Sequence, residues 1–109
     1  MKLTRIDASH PLFEASFTLY EASFPPNERR MREDHLRALQ DADFSPLGAV
    51  EDGMLLADVF LWETEDFCYL EHFAVQPSLR GHGTGSTILR QLLTQDKPLI
   101  LEIEPPEDE

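Results

Sequence analysis

Apolar and polar positions change period several times along the chain, and each change predicts an element. Leu3 and Ile6 among polar neighbours predict a short first strand over 2–7. Ser9 or His10 is then placed to cap a helix with Pro11 at its first position, where a missing N–H costs nothing. Phe13, Phe17, Tyr20 and Phe24 follow at spacings of four, three and four, the mark of a helix burying an aromatic stripe. Pro25-Pro26 stops it, and a second helix is predicted over 30–40 with Leu36 and Leu39 inward. Strands over 47–51 and 54–63 flank Asp52-Gly53, a two-residue hairpin signal. The run Leu55–Trp62 is apolar at nearly every position, as in a central strand covered on both faces. Thr64-Glu65-Asp66 turns the chain into a strand over 67–75. A glycine-rich loop leads to a helix with Ile88, Leu89, Leu92 and Leu93 on one side, and Lys97-Pro98 opens a last strand over 99–103. The order β-α-α-β-β-β-α-β, without repeats or linkers, predicts an α/β fold with a mixed sheet flanked by helices.

Composition narrows the function classes. A chain of 109 residues, 41% apolar and 28% charged, suits one globular domain spanning 1–109. The formal net charge of −12 argues against nucleic acid as a partner, since binding it rests on a basic surface. It favours a cationic partner or simple solubility. The single cysteine, Cys68, sits in an apolar run and reads as a small core residue, so there is no disulfide framework. The N-terminus lacks the roughly 7–15-residue apolar segment of a signal peptide, and no run approaches the about 20 residues of a membrane span. No membrane contact and a cytoplasmic location are the expectations.

The candidate chemistry lies in "YLEHFAVQPSLRGHGTGSTILRQLL", residues 69–93. An apolar strand hands over to a helix through Arg80-Gly81-His82-Gly83-Thr84-Gly85. A helix N-terminus carries N–H groups without intrahelical partners and a partial positive charge. Glycines let a ligand approach that backbone closely, so the arrangement reads as an anion site, most often for phosphate; the competing reading is a tight turn whose glycines serve geometry alone. A P-loop would need Gly-x-x-x-x-Gly-Lys-Ser/Thr, and no lysine lies between Gly81 and Asp96. A dinucleotide loop wants G-x-G-x-x-G at the opening of its domain, whereas this G-x-G-x-G follows two helices and a meander.

The segment resembles the GNAT superfamily of N-acetyltransferases, whose signature Gln/Arg-x-x-Gly-x-Gly/Ala stands here as Arg80 to Gly85. Leu70 to Pro77 looks like that family's fourth strand, and the element order from residue 1 to 103 also matches. The resemblance implies acetyl-CoA as cofactor and acetyl donor. It implies that the backbone of Gly81, His82, Gly83, Thr84, Gly85 and Ser86 holds the pyrophosphate, with Arg80 as the nearby cation. Phe73, Ala74 and Val75 would pair their main chain with the pantetheine arm, one N–H polarising the thioester carbonyl. Ser23 to Arg30 resembles the helix–helix connection that borders the acceptor site. The implied reaction is acetylation of a primary amine on a small molecule or peptide.

Glu71 is the candidate general base. It stands inside an apolar strand segment, where desolvation is expected to raise its pKa toward neutrality; the competing reading is a structural carboxylate paired to a neighbour. His72 is expected on the opposite face by strand alternation. Glu102 and Glu104 are candidates for the acceptor side, and no metal site is expected. The family's domain continues past the fifth strand with a helix and two strands, a region that often carries a tyrosine protonating the departing thiolate. Tyr20 and Tyr69 lie in other elements, so the domain is expected to be C-terminally incomplete. Two function classes stand side by side: an active N-acetyltransferase, and a catalytically impaired CoA-binding module. The apolar last strand, left with an uncovered edge, predicts a homodimer.

Overall fold

A computed structural model describes residues 1–94 and 97–101. Five strands form one sheet in the order β1 (Lys2–Arg5), β2 (Phe44–Glu51), β3 (Met54–Glu63), β4 (Cys68–Val75) and β5 (Leu99–Leu101). The first three neighbouring pairs are antiparallel and β4–β5 is parallel. Helices α1 (Phe13–Ser23) and α2 (Arg32–Ala38) lie between β1 and β2, and α3 (Thr84–Leu93) makes the crossover from β4 to β5. The mixed sheet and element order are those expected from the pattern. Glu102, Ile103 and Glu104 lie outside the described residues, so the predicted end of the last strand and both acceptor-side carboxylates do too.

The sheet is covered on both faces. Ile88 and Leu92 of α3 pack with Ala49, Ala57, Val59, Leu61 and Leu70 on one side. On the other side Phe13, Phe17, Leu19 and Tyr20 of α1 meet Leu55, Phe60, Phe44 and Ala74. Val59, Phe60 and Leu61 are completely buried, which is why β3 carries no polar alternation. Asp52 and Gly53 both take positive φ, 51° and 77°, the geometry of a tight hairpin turn whose twist suits the strands it joins.

Several boundaries differ from the sequence expectation. Helix α1 begins two residues later than Pro11 because the His10 ring Nδ1 accepts from the Leu12 N–H, holding a turn there instead. Strand β2 starts at Phe44 and so includes Pro46. The Pro46 carbonyl accepts from Ile6 N–H, but proline has no N–H to return, and the β1–β2 ladder stops at the preceding pair, Arg5–Leu47. Helix α2 is shorter than predicted, and its buried residue is His35; Leu36 and Leu39 are only half-buried. On α3, Leu93 is 65% exposed rather than inward.

Candidate functional site

The strand-to-helix loop has the geometry of an anion cradle. Gly81 and Gly83 take φ of 85° and 78°, a region that costs any side chain with a Cβ. Gly83 is the N-cap of α3 in left-handed conformation, without a side-chain cap and without an acidic residue in the first turn. The first intrahelical bond runs from Thr87 N–H to the Gly83 carbonyl at 3.0 Å. The N–H groups of Thr84, Gly85 and Ser86 are therefore left to an external acceptor. Among the described residues the other two α-helices carry acids in their first turns, Glu14 on α1 and Glu33 and Asp34 on α2, whereas the positive end of α3 has none.

An open cleft of about 380 Å³ lies against this end, lined by Val75, Leu79, Arg80, Gly81, Gly83, Thr84, Gly85 and Ser86. Arg80 Nε donates to the Val75 carbonyl at 3.2 Å, which folds the guanidinium back over the end of β4. His82 is exposed in the loop. Phe73 and Val75 turn toward α3, where a Cβ on Gly85 would touch them at 3.7 and 3.6 Å, while Ala74 faces the α1 side. Among the described residues, pairing of β4 with β5 ends at Leu70–Leu101, just before Glu71. The cleft thus joins the N-terminus of α3 to the end of β4 at Val75.

Glu71 occupies a bulge. The β3–β4 register pairs Phe60 with His72 and Leu61 with Leu70, so Glu71 is the extra residue. This corrects the expectation for His72: the bulge turns both side chains to the same face. His72 Nδ1 lies 3.3 Å from Glu71 Oε1, within ion-pair range but off the line of a hydrogen bond. The His72 ring approaches the Glu28 carbonyl through Nε2 at 2.8 Å and packs edge-on against Tyr20 and Phe24. Glu71 Oε1 also accepts from Arg30 Nη1 at 2.6 Å and from Trp62 Nε1 at 3.0 Å. Burial pulls the Glu71 carboxyl up, but His72, Arg30 and Trp62 together outweigh it and hold the group at about 2. The expected rise toward neutrality is therefore reversed. Desolvation is present as anticipated, and the donors around Oε1 win.

Arg30 ties this corner together. Its guanidinium lies over Phe44 and Tyr20, 4.9 and 5.6 Å from the ring centroids, and its backbone N–H donates to the Tyr20 hydroxyl at 2.6 Å. Arg29 holds the end of α1 through the Glu21 and Phe24 carbonyls. The chain between α1 and α2 is thus pinned against β4 at Glu71 and His72.

Two buried groups escaped the sequence reading. His35 is enclosed by Phe13, Phe17, Tyr20, Phe44 and Phe60, and burial together with Arg30 lowers its pKa to about 4. Asp58, in the middle of β3, is completely buried. It takes one hydrogen bond, from Ser16 Oγ at 2.7 Å, and its Oδ2 has no partner. Burial pushes its pKa up to about 8, which the Ser16 bond only partly opposes. A lone acid inside an otherwise two-sided apolar strand was the available signal.

Comparison with solved structures places the fold. A protein from Bacteroides thetaiotaomicron assigned to the GNAT acetyltransferases superposes with a TM-score of 0.90 at 28% identity, covering 100% of this chain and 64% of that one. The Escherichia coli ribosomal-protein-S18-alanine N-acetyltransferase follows with a TM-score of 0.63 and 17% identity, over 84% of this chain and 56% of that one. The aminoglycoside 6'-N-acetyltransferase of Acinetobacter haemolyticus gives 0.65 at 16% identity, over 94% and 79%. The chain thus spans less than two thirds of the length of the first two. A further aminoglycoside 6'-N-acetyltransferase, solved with coenzyme A, gives 0.64 at 15% identity, over 84% and 53%. Among curated proteins no sequence matches this chain. The sequence profile of the acetyltransferase (GNAT) family matches residues 10–103, which takes in both helices before the meander, the bulged strand and the glycine cradle. On that match and that fold, the chain belongs to the GNAT acetyltransferase family.

Proposed function

We propose that the protein transfers an acetyl group from acetyl-CoA to a primary amine on a small molecule or peptide. The observation that carries this reading is the uncapped, acid-free N-terminus of α3, opening through two positive-φ glycines onto a cleft at the end of β4. The N–H groups of Thr84, Gly85 and Ser86 would hold the pyrophosphate, with Arg80 adding charge beside Gly81 and His82. Bound acetyl-CoA supplies a thioester whose acetyl group is open to attack by a neutral amine. Phe73, Ala74 and Val75 would align the ligand through their main chain, and an N–H among them would stabilise charge developing on the acyl oxygen. The whole range 1–109 would act as one acetyl-CoA-binding unit.

One observation favours the second reading, a CoA-binding module impaired in transfer. A carboxylate held at about 2 is a weak proton acceptor, so Glu71 lacks the tuned basicity first expected of it. Thiol release from acetyl-CoA, followed with a panel of small and peptidyl amines, separates the two. Release above the rate of spontaneous hydrolysis with at least one amine is the expected result. CoA binding without release from any amine would leave the module reading, and failure to bind CoA would remove both.

The same reading extends to assembly and location. Among the described residues β5 pairs only with β4, while Leu93, Ile100 and Leu101 are 65, 44 and 38% exposed. A second copy covering this edge and face would make a homodimer, and a cytoplasmic location goes with it. No described helix is long and apolar enough to cross a membrane. Light scattering at micromolar concentration should give twice the chain mass of 12.5 kDa. A monodisperse species at the chain mass would remove the dimer.

A further inference from the structure

Both ring nitrogens of His72 face oxygen acceptors, and a neutral imidazole can serve only one of them. Nε2 lies 2.8 Å from the Glu28 carbonyl, which only accepts, so the contact needs a proton on Nε2. Nδ1 lies 3.3 Å from Glu71 Oε1 and is enclosed without a hydrogen-bond partner. In a neutral ring one nitrogen keeps a lone pair, and here that lone pair would meet either a carboxylate or a carbonyl. The imidazolium offers a proton to each. What the Glu28 contact holds is the chain between α1 and α2. Glu28 ends the single 3₁₀ turn Pro26–Glu28, and its own N–H is bonded back to the Pro25 carbonyl at 2.9 Å. Arg29 and the Arg30 N–H fasten the next residues to α1, through the Glu21 and Phe24 carbonyls and the Tyr20 hydroxyl. The connection reaches β4 through Arg30 to Glu71 and through Glu28 to His72, so both ties meet at the bulge.

We infer that His72 is a positioning residue for the acceptor side, whose proton latches the α1–α2 connection to β4. As the imidazolium it donates to Glu28 and pairs with Glu71. When that charge is lost, the remaining proton stays on Nδ1, because a hydrogen bond to a carboxylate is about twice as strong as one to a neutral carbonyl. Nε2 then turns a lone pair on the Glu28 carbonyl, and this end of the connection is released. The latch follows from the geometry; that the connection borders the acceptor rests on the proposed acetyl transfer.

The groups around the ring leave this proton in control near neutrality, where imidazole ordinarily changes charge. Glu71 on β4 favours the cation and Arg30 on the connection opposes it. From α1 comes the Tyr20 phenol, whose pKa burial raises, and from α2 comes His35, which stays neutral down to about 4. On β3, Asp58 stands two residues before Phe60, the partner of His72, and keeps its proton up to about 8. The Glu28 carboxylate is exposed.

The experiment follows ¹⁵N-labelled protein from pH 5 to 9, reading the His72 ring nitrogens and the amide exchange of Glu28 and Arg30 relative to their intrinsic rates. The ring should lose one proton, its neutral form should carry hydrogen on Nδ1, and Glu28 protection should fall about fivefold with the same midpoint. His72→Gln sets a neutral N–H where Nε2 stands and should hold that protection across the range without a step. His72→Phe keeps the packing on Tyr20 and Phe24 but has no donor, and should show low protection at every pH. A ring that keeps one charge state throughout, a neutral ring protonated on Nε2, or a titration that leaves protection unchanged would overturn the inference. So would the same step in His72→Gln. The parent's titration decides even where a variant does not fold. Exchange needs neither acetyl-CoA nor an amine, so thiol release tests the acetyl-transfer reading separately.

Discussion

Gly83→Val should leave a folded protein whose affinity for CoA falls at least about a hundredfold, a loss of roughly 3 kcal/mol. Two effects act together. Position 83 has a φ of 78°, where a β-branched side chain costs on the order of 1–3 kcal/mol. A Cβ there meets nothing within 4 Å, so the strain is not relieved by packing and the added methyls stand in open space beside the helix N-terminus. That space is where an anion must come to reach the N–H groups of Thr84, Gly85 and Ser86. Gly85→Ala supplies the contrast within the same loop. Its Cβ would rest at ordinary contact distance on Val75 and Phe73, facing the sheet rather than the cleft, in a residue with no positive φ. Alanine there should keep CoA binding and add about 0.5–1 kcal/mol of helix stability. Calorimetry with CoA and thermal melting on both variants decide it. Unchanged affinity in Gly83→Val, or equal losses in the two, would mean that the α3 N-terminus is not the phosphate site.

The same loop shows why part of the site was legible in the sequence. Alternating glycines before an amphipathic helix have few physical explanations, and Gly81 and Gly83 take the positive φ that glycine alone adopts readily. Strand β3 was legible for a similar reason: an apolar run flanked by Asp-Gly has little choice but the sheet centre, and its bounds are those predicted. What the sequence does not mark is a bulge. One extra residue at Glu71 shifts the alternation for half of β4, which is why His72 was expected on the wrong face. The charge environment of Glu71 was hidden for a related reason. Arg30 is 41 residues away along the chain, and only the fold of the α1–α2 connection brings it within 2.6 Å. Burial alone would have raised the carboxyl, as the sequence reading assumed. Leu93 shows the limit of periodicity on a short helix, where a position at the rim of the apolar stripe ends in solvent.

Asp58→Asn should stabilise the protein, by an amount that depends on pH in a defined way. The folded-state pKa of Asp58 is about 8 against an ordinary value of 3.8, so between those values the native state holds a proton that the unfolded chain has lost. Stability from this group is therefore complete below about pH 4 and declines as pH rises through 8. His35 works the other way. Its pKa falls from 6.5 to about 4 on burial, so its contribution is lost as pH drops through that interval. Glu71, lowered from 4.5 to about 2, likewise loses its contribution only in acid below its ordinary range. The three together predict a stability that rises from pH 2 to about 4.5 and changes little to about 6.5, where Asp58 and His35 oppose each other. It then falls toward pH 8 as Asp58 acts alone. Asparagine keeps the shape of the side chain and an oxygen for the Ser16 hydroxyl, but it never has to bury a charge. The variant should match the parent near pH 4 and exceed it increasingly up to pH 8, by on the order of a few kcal/mol, with the fall above pH 6.5 removed. Denaturant melts of both proteins at half-unit steps from pH 4 to 9 give the difference curve directly. A difference that stays flat across this range would mean that Asp58 does not hold its proton through neutrality, and the buried carboxyl with its single hydroxyl partner would need another source of compensation.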